Sequence, residues 1–116
     1  MADVTIAKQV LTKTGVAPTY QTLNATDVYY VLNDTERIIL FFKNTNAGAA
    51  LITFDVTKTV DGLTIADHTI SIPATTGERV AGAFPATLEV ESGTHAGKIK
   101  FSCDLATGVS VAVLAT

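Results

Sequence analysis

The sequence has no tryptophan, a single cysteine and few charged residues, and each shortage excludes a class of protein. The lone Cys103 rules out an internal disulfide and is most simply a small core residue. Without tryptophan, and with only 7% aromatic residues, the chain has little with which to build a sugar-stacking platform. A net charge of −3 without any basic cluster lacks the electrostatic footprint of a nucleic-acid-binding protein.

The chain also lacks long apolar runs. No stretch approaches the length of a membrane span, so we expect no membrane insertion. The segment Met1–Val4 carries an acidic residue early and has no apolar centre of a signal peptide, so we expect no Sec export. The chain has 116 residues, of which 47% are hydrophobic. We therefore predict one domain spanning 1–116 that can bury a hydrophobic core without disulfide bonds or structural metal ions. Because only 16% of the residues are charged, we also expect some surface to be covered in the working state.

What the chain does have is a run of apolar residues, Arg37–Lys43, that predicts a strand buried on both faces. Alternate side chains of a strand point to opposite faces. In this run both faces are apolar, because Phe42 belongs to one face, Phe41 belongs to the other, and the residue two positions before each of them, on the same face, is apolar as well. The short length and the polar turns on either side favour a strand over a buried helix. It is either a central strand covered on both sides or a core strand whose outer face meets a partner.

Alternating apolar and polar residues, separated by turn signals, predict roughly nine short strands in the whole chain. We therefore predict an all-β fold: a single antiparallel β-sandwich, jelly-roll-like or immunoglobulin-like. The predicted strands cover residues 4–8 (extending to 10), 28–32, 37–43, 51–56, 69–72, 79–84, 87–91, 98–103 and 109–113. The predicted core is Ile38, Leu40, Phe42, Ile52, Phe54, Ile70, Ile72, Ile99, Phe101, Val111 and Val113.

The segment from Leu11 to Asp27 predicts an irregular arm or loop. It is rich in threonine, contains Gly15 and Pro18, and holds no helical period. Val16 and Tyr20 are its apolar anchors.

No constellation of residues predicts a catalytic, metal or cofactor site. The two histidines, His68 and His95, show no ligand spacing, and His95 lies in a glycine-flanked turn where a solvated side chain is expected. No serine has the setting of a nucleophile, and the glycines do not form a phosphate-binding loop. We therefore predict that the protein is not an enzyme and needs no cofactor or metal.

Several stretches, taken in their order and spacing, resemble a known family. They are Asn33-Asp34 before the apolar strand closed by Lys43-Asn44; Thr59–Asp67; Thr69–Ala74 with Ala83-Phe84-Pro85 after it; and the last two strands, ending in Val109–Val113. The arm, Thr14–Tyr20, is also similar to the opening of this family. The family comprises small tailed-bacteriophage structural proteins often encoded among the head genes, near the major capsid protein. One departure is Asp34–Arg37, where a glycine is expected in the turn.

The resemblance implies a virion structural protein: a capsid decoration or cement protein that binds the outer surface of the phage head and is assembled in the host cytoplasm. It implies the major capsid protein as partner and no catalytic residues. A tail, neck or fibre component is the alternative within this class, and a carbohydrate-binding sandwich is the alternative from another class. Because a repeating lattice favours multivalent contact, we expect a homo-oligomer, dimer or trimer, on a local symmetry axis.

The arm at 11–27 is the predicted contact with the capsid or with another subunit, through Val16, Pro18 and Tyr20. The alternative is that the arm folds back on its own sandwich.

Overall fold

A computed structural model describes residues 2–33, 37–82, 84–85 and 88–115, and in these residues the fold is all-β without an α-helix. The predicted turn at 33–36 lies mostly outside the described residues. The strands are β1 (Asp3–Ile6), β2 (Gln9–Val10), β3 (Gln21–Thr22), β4 (Val28–Leu32), β5 (Ile38–Asn44), β6 (Ala50–Phe54), β7 (Thr59–Val60), β8 (Leu63–Thr64), β9 (His68–Ile72), β10 (Gly77–Gly82), β11 (Lys98–Cys103) and β12 (Val109–Ala115).

Two five-stranded sheets pack face to face as a β-sandwich. The first sheet has the order β1-β4-β11-β6-β9, and the second has the order β10-β5-β12-β2, with β3 also paired to β12. The strands β7 and β8 form a separate two-stranded ribbon. The all-β sandwich predicted from the alternating pattern is confirmed.

The pairing is nested in the way that defines a jelly roll. Strands β4, β5 and β6 pair antiparallel, in reverse order, with β11, β10 and β9. The chain therefore folds like one long hairpin wrapped into two layers, and β12 is added beside β5. Of the two predicted sandwich types, this arrangement favours the jelly roll.

The core lies between the two sheets and includes all the predicted residues, together with others such as Leu23, Tyr29 and Val31. Each predicted residue is buried except Ile70, which is partly buried and packs against the others. Three aromatic rings form its centre: Phe101 lies 5.9 Å from Phe42 and 5.7 Å from Phe54, measured between ring centroids. Cys103 is buried beside this cluster, as predicted.

The predicted first strand is instead two strands in different sheets. β1 pairs parallel with β4 in the first sheet, whereas β2 pairs parallel with β12 in the second. Residues 7 and 8 carry the chain from one layer to the other. Each sheet therefore contains one parallel pair among antiparallel ones, because β1 runs in the same direction as β4 and β2 runs in the same direction as β12. The prediction of a purely antiparallel sandwich is wrong in this respect.

The strand predicted at 87–91 is reduced, within its described residues 88–91, to one bridge between Glu89 and Ile99. Strand β6 already occupies that side of β11 from Phe101 onward, since Asp55 N donates to Lys100 O at 2.9 Å. Only the first residues of β11 remain available, so a full strand cannot form there.

The strand directions define two ends of the sandwich. At one end, two short connections (residues 45–49 and 73–76) join the sheets, and the buried Asn44 side chain donates to the carbonyls of Gly48 and Ile72 at 2.9 and 3.3 Å. At the opposite end, β12 finishes beside the start of β5, and β4 and β6 finish beside β11.

Candidate docking surfaces

Exposed apolar side chains are concentrated at the end where β4, β6 and β12 finish. Of the seven large hydrophobic side chains described as exposed, five lie at the ends of β2 and β4 or in the ribbon that connects the end of β6 to the start of β9, and we call this region the apolar end. It consists of Val10 (59% exposed), Leu11 (42%), Leu32 (42%), Val60 (57%) and Leu63 (71%). Because soluble proteins rarely gather exposed apolar groups in one region without a reason, the apolar end is a candidate interaction surface.

The ribbon β7–β8 supplies two side chains of the apolar end, including Leu63, the most exposed of the five. Val60 is paired directly with Leu63 across a two-residue turn. The turn residues Asp61 and Gly62 have φ angles of +52° and +79°, as a type I′ turn requires. A turn of this type matches the twist of the two strands, so the ribbon presents Val60 and Leu63 in a defined geometry. The Asp61-Gly62 pair is the sequence signal that could have predicted this hairpin.

The predicted arm is held on its own sandwich at two places. In its middle, the Gln9 side chain donates to Ala17 O at 3.0 Å and accepts from Thr19 N at 2.8 Å. In its second half, strand β3 pairs with β12, and Tyr20 reaches Lys43 across the outer face of the second sheet.

The arm covers part of the apolar outer face that the sequence predicted for strand β5. Ala112 and Leu114 point outward from β12, yet they are only 0% and 5% exposed, and the arm is the segment anchored over this side of the sheet. Their β5 partners, Phe41 and Ile39, remain half-buried. The outer face is therefore partly covered by the chain itself.

The three predicted contact residues of the arm differ in availability. Val16 and Tyr20 are half-buried, and Pro18 is exposed. The structure brings Tyr20 to Lys43, whose Nζ lies 4.4 Å from the ring centroid. The assignment of these residues to a capsid or subunit contact stays a prediction.

The expectation that His95 is a solvated turn residue is wrong. Its ring stacks on Tyr30 with centroids 3.7 Å apart and planes 9° apart, and its side chain is only 22% exposed. Its Nε2 lies 3.6 Å from a carboxylate oxygen of Asp3 and its Nδ1 lies 3.5 Å from Lys98 Nζ. His95 thus packs the 90–97 turn against β1 and β4, which sequence spacing alone could not indicate.

The polar side chains on the outer face of the first sheet pair with each other. Lys100 Nζ lies 3.0 Å from a carboxylate oxygen of Asp55. This hydrogen bond raises the pKa of Lys100 above its ordinary value, with desolvation opposing it. Beside the pair lies a depression of about 430 Å³ that also contains Asp27 and Asp67. These two carboxylates accept backbone hydrogen bonds from Ala2 and Val56 respectively, so both already serve the fold.

The two remaining candidate side chains, His68 and Cys103, pack against the core. His68 begins β9 and stacks on the buried Phe54 at a centroid distance of 5.7 Å. Burial raises the pKa of the Cys103 thiol, which disfavours the reactive thiolate. Within the described residues, no group of three or more histidine, cysteine, aspartate or glutamate side chains is placed to hold a metal ion.

An apolar groove runs along one open edge of the sandwich, between β9 and β10. We call it the edge groove; its volume is about 510 Å³. Phe84 forms a buried wall, and Val80 stands 64% exposed at the rim. The full lining is His68, Ile70, Val80, Ala81, Gly82, Phe84, Pro85 and Leu88.

No known protein family, curated protein or solved structure matches this chain. In the part of the chain that the structure describes, no helix is long and apolar enough to cross a membrane.

Proposed function

We propose that this protein is a capsid decoration protein that binds the outer surface of a tailed-phage head and stabilises it. The observation that carries the proposal is the apolar end, the end of the sandwich at which five of the seven exposed large apolar side chains lie. The resemblance of the sequence to phage head-region proteins supplies the kind of partner, and the major capsid protein is that partner.

The fold suits a mechanical role. Both layers are tied together by a continuous aromatic core, and nested antiparallel pairing links residues that are distant in sequence. Such a unit can bridge neighbouring capsid subunits and resist their separation. Docking by the apolar end would remove Val60 and Leu63 from water, and full burial of one such side chain is worth about 1.5–3 kcal/mol.

The carbohydrate-binding alternative has less support from the surface. A sugar platform needs an exposed aromatic face, and the outward-pointing Tyr30 on the first sheet is only 7% exposed because His95 covers its ring. A tail, neck or fibre component could dock through the same apolar end. The location of the protein in the particle therefore distinguishes this alternative from decoration of the head.

The proposal is tested with one pair of matched variants. Leu63→Ser removes an exposed leucine from the apolar end, and Leu51→Ser makes the same change on the outer face of the first sheet, where Leu51 is 41% exposed. Purified heads that lack the protein are incubated with each variant and sedimented. We expect Leu63→Ser to weaken binding about tenfold, as a loss of about 1.4 kcal/mol implies, and Leu51→Ser to bind like the unaltered protein.

Equal binding by both variants would exclude the apolar end as the docking surface. Absence of binding by the unaltered protein would exclude the decoration role itself.

A further inference from the structure

Among the strands that the structure describes, β9 is an unguarded edge. Natural sheets protect their edges with charges, prolines, distortions or very short strands, because a bare edge pairs with other chains. The edge strand β10 carries Glu78 and Arg79 and ends at Gly82 with a φ of +146°. The strand β1 has only four residues and carries Asp3, and the edge beyond β12 is broken into β2 and β3. Strand β9, His68–Ile72, contains no Lys, Arg, Asp, Glu or Pro, since Pro73 lies just beyond its last residue, and within the described residues it pairs with β6 alone.

The hydrogen-bond pattern identifies which groups of β9 face outward. Asp104 N donates to Leu51 O and Asp55 N donates to Lys100 O, so the odd-numbered residues of β6 turn their backbone groups toward β11. The even-numbered residues of β6 therefore face β9, and they pair with His68, Ile70 and Ile72. The backbone N–H and C=O groups of Thr69 and Ser71 therefore point away from β6, toward the side of β9 that no other described strand occupies.

We propose that β9 pairs antiparallel with β9 of a second copy of this chain, so that two sandwiches share one continuous ten-stranded sheet. An isologous pair of this kind has a two-fold axis normal to the sheet. Among the possible registers, the one centred on Ile70 places Thr69 opposite Ser71 of the second copy. In this register the N–H and C=O groups of Thr69 each bond to Ser71 of the second copy, and the reverse. All four outward backbone groups of each copy are thereby paired, and all five residues of β9 overlap.

The side chains agree with this register. On the core side, Ile70 lies opposite Ile70 of the second copy, and apolar cross-strand pairs are favourable. On the outer side, Thr69 and Ser71 form hydroxyl pairs, and no like charges oppose each other. Ile70 also lines the edge groove, so pairing brings the two apolar grooves of the dimer together beneath the shared sheet. The inference rests on the edge geometry and specifies the homo-oligomer expected from the sequence; it does not depend on what the apolar end binds.

Two double variants test both the dimer and its register. Thr69 and Ser71 are exposed on the outer face, so charged replacements leave the core untouched. Thr69→Lys with Ser71→Lys sets lysines opposite each other across the axis. Thr69→Lys with Ser71→Glu instead sets a lysine of one copy opposite a glutamate of the other, with the same number of exposed changes. The mass of each protein is measured by sedimentation over a dilution series, with circular dichroism as the check on folding.

We expect the unaltered protein and the Lys/Glu variant to sediment at twice the 12.1 kDa chain mass, and the Lys/Lys variant to sediment as the monomer. A monomeric unaltered protein, a dimeric Lys/Lys variant or a monomeric Lys/Glu variant would each overturn the proposed pairing. If the unaltered protein is monomeric yet still binds heads, the dimer alone is refuted and the decoration role stands.

Discussion

The ammonium nitrogen of Lys43 lies 4.4 Å from the ring centroid of Tyr20, over the outer face of the second sheet. Lys43 belongs to β5, and Tyr20 lies in the arm just before β3, so the contact spans the intervening strand β12. The arm is thereby closed onto the sheet that its own chain forms. The side chain of Pro18 is exposed, although the Gln9 side chain holds the backbone on both sides of it, at Ala17 O and Thr19 N.

Removing this contact should loosen the arm without unfolding the sandwich. An exposed cation–π contact contributes about 0.5–1 kcal/mol, so Tyr20→Ala should accelerate amide hydrogen exchange in residues 11–20 while leaving β5 and β12 protected. Lys43→Met, which keeps an apolar stem and removes only the charge, should produce a smaller acceleration. Unchanged exchange in both variants would mean that Tyr20 does not hold the arm.

Truncating the centre of the core should be costly. Phe101 is fully buried among Phe42, Phe54 and Tyr29, so Phe101→Ala should lower the free energy of unfolding by about 3–5 kcal/mol. Val80→Ala is the control, because Val80 is 64% exposed and its truncation should change stability by no more than about 0.5 kcal/mol. Urea denaturation measures both. Similar midpoints for the two variants would contradict the assigned core.

The Cys103 thiol should be protected in the native state. Burial raises its pKa, so less thiolate is present at about pH 8 than in the unfolded chain. A chromogenic disulfide reagent should therefore react slowly with native protein and rapidly in guanidinium. Equal rates in the two states would show that Cys103 is accessible without unfolding.

The Lys100–Asp55 pair should make stability depend on alkaline pH. The folded-state pKa of Lys100 is raised above its ordinary value of 10.5, so the stabilisation is present below that pH and is lost as pH rises through the folded-state value. Because both side chains are partly exposed, Lys100→Met should cost only about 0.2–1 kcal/mol at neutral pH. A stability difference between Lys100→Met and the unaltered protein that grew above pH 10.5 would contradict the pairing. Asp55→Asn should behave in the same way at neutral pH.

The strands with a long alternating pattern could be predicted from the sequence. Residues such as Ile52 and Phe54 alternate with exposed or half-buried neighbours, and this period of two places them in the core whatever the partner strand is. The strands β2 and β3 could not be predicted, because two residues carry no periodicity and their pairing depends on β12. The ribbon was missed although Asp61-Gly62 is a hairpin signal, since its strands are also only two residues long.

The candidate surfaces were beyond sequence reasoning for a different reason. Val10, Leu32 and Leu63 are far apart in the chain, and only the strand directions show that they share an end. The environment of His95 likewise depends on the register that brings the 90–97 turn to Tyr30. The unguarded edge of β9 follows from the order of the strands in the sheet, which the alternating pattern does not specify.

The most direct test of the central proposal is a cryo-electron microscopy reconstruction of the tailed-phage particle that we propose contains this chain. The decoration role predicts density for this β-sandwich on the outer surface of the head, repeated with the capsid lattice, with Val60 and Leu63 of the apolar end against the major capsid protein. Density for the sandwich only in the tail, neck or fibres, or its absence from the particle, would contradict the account.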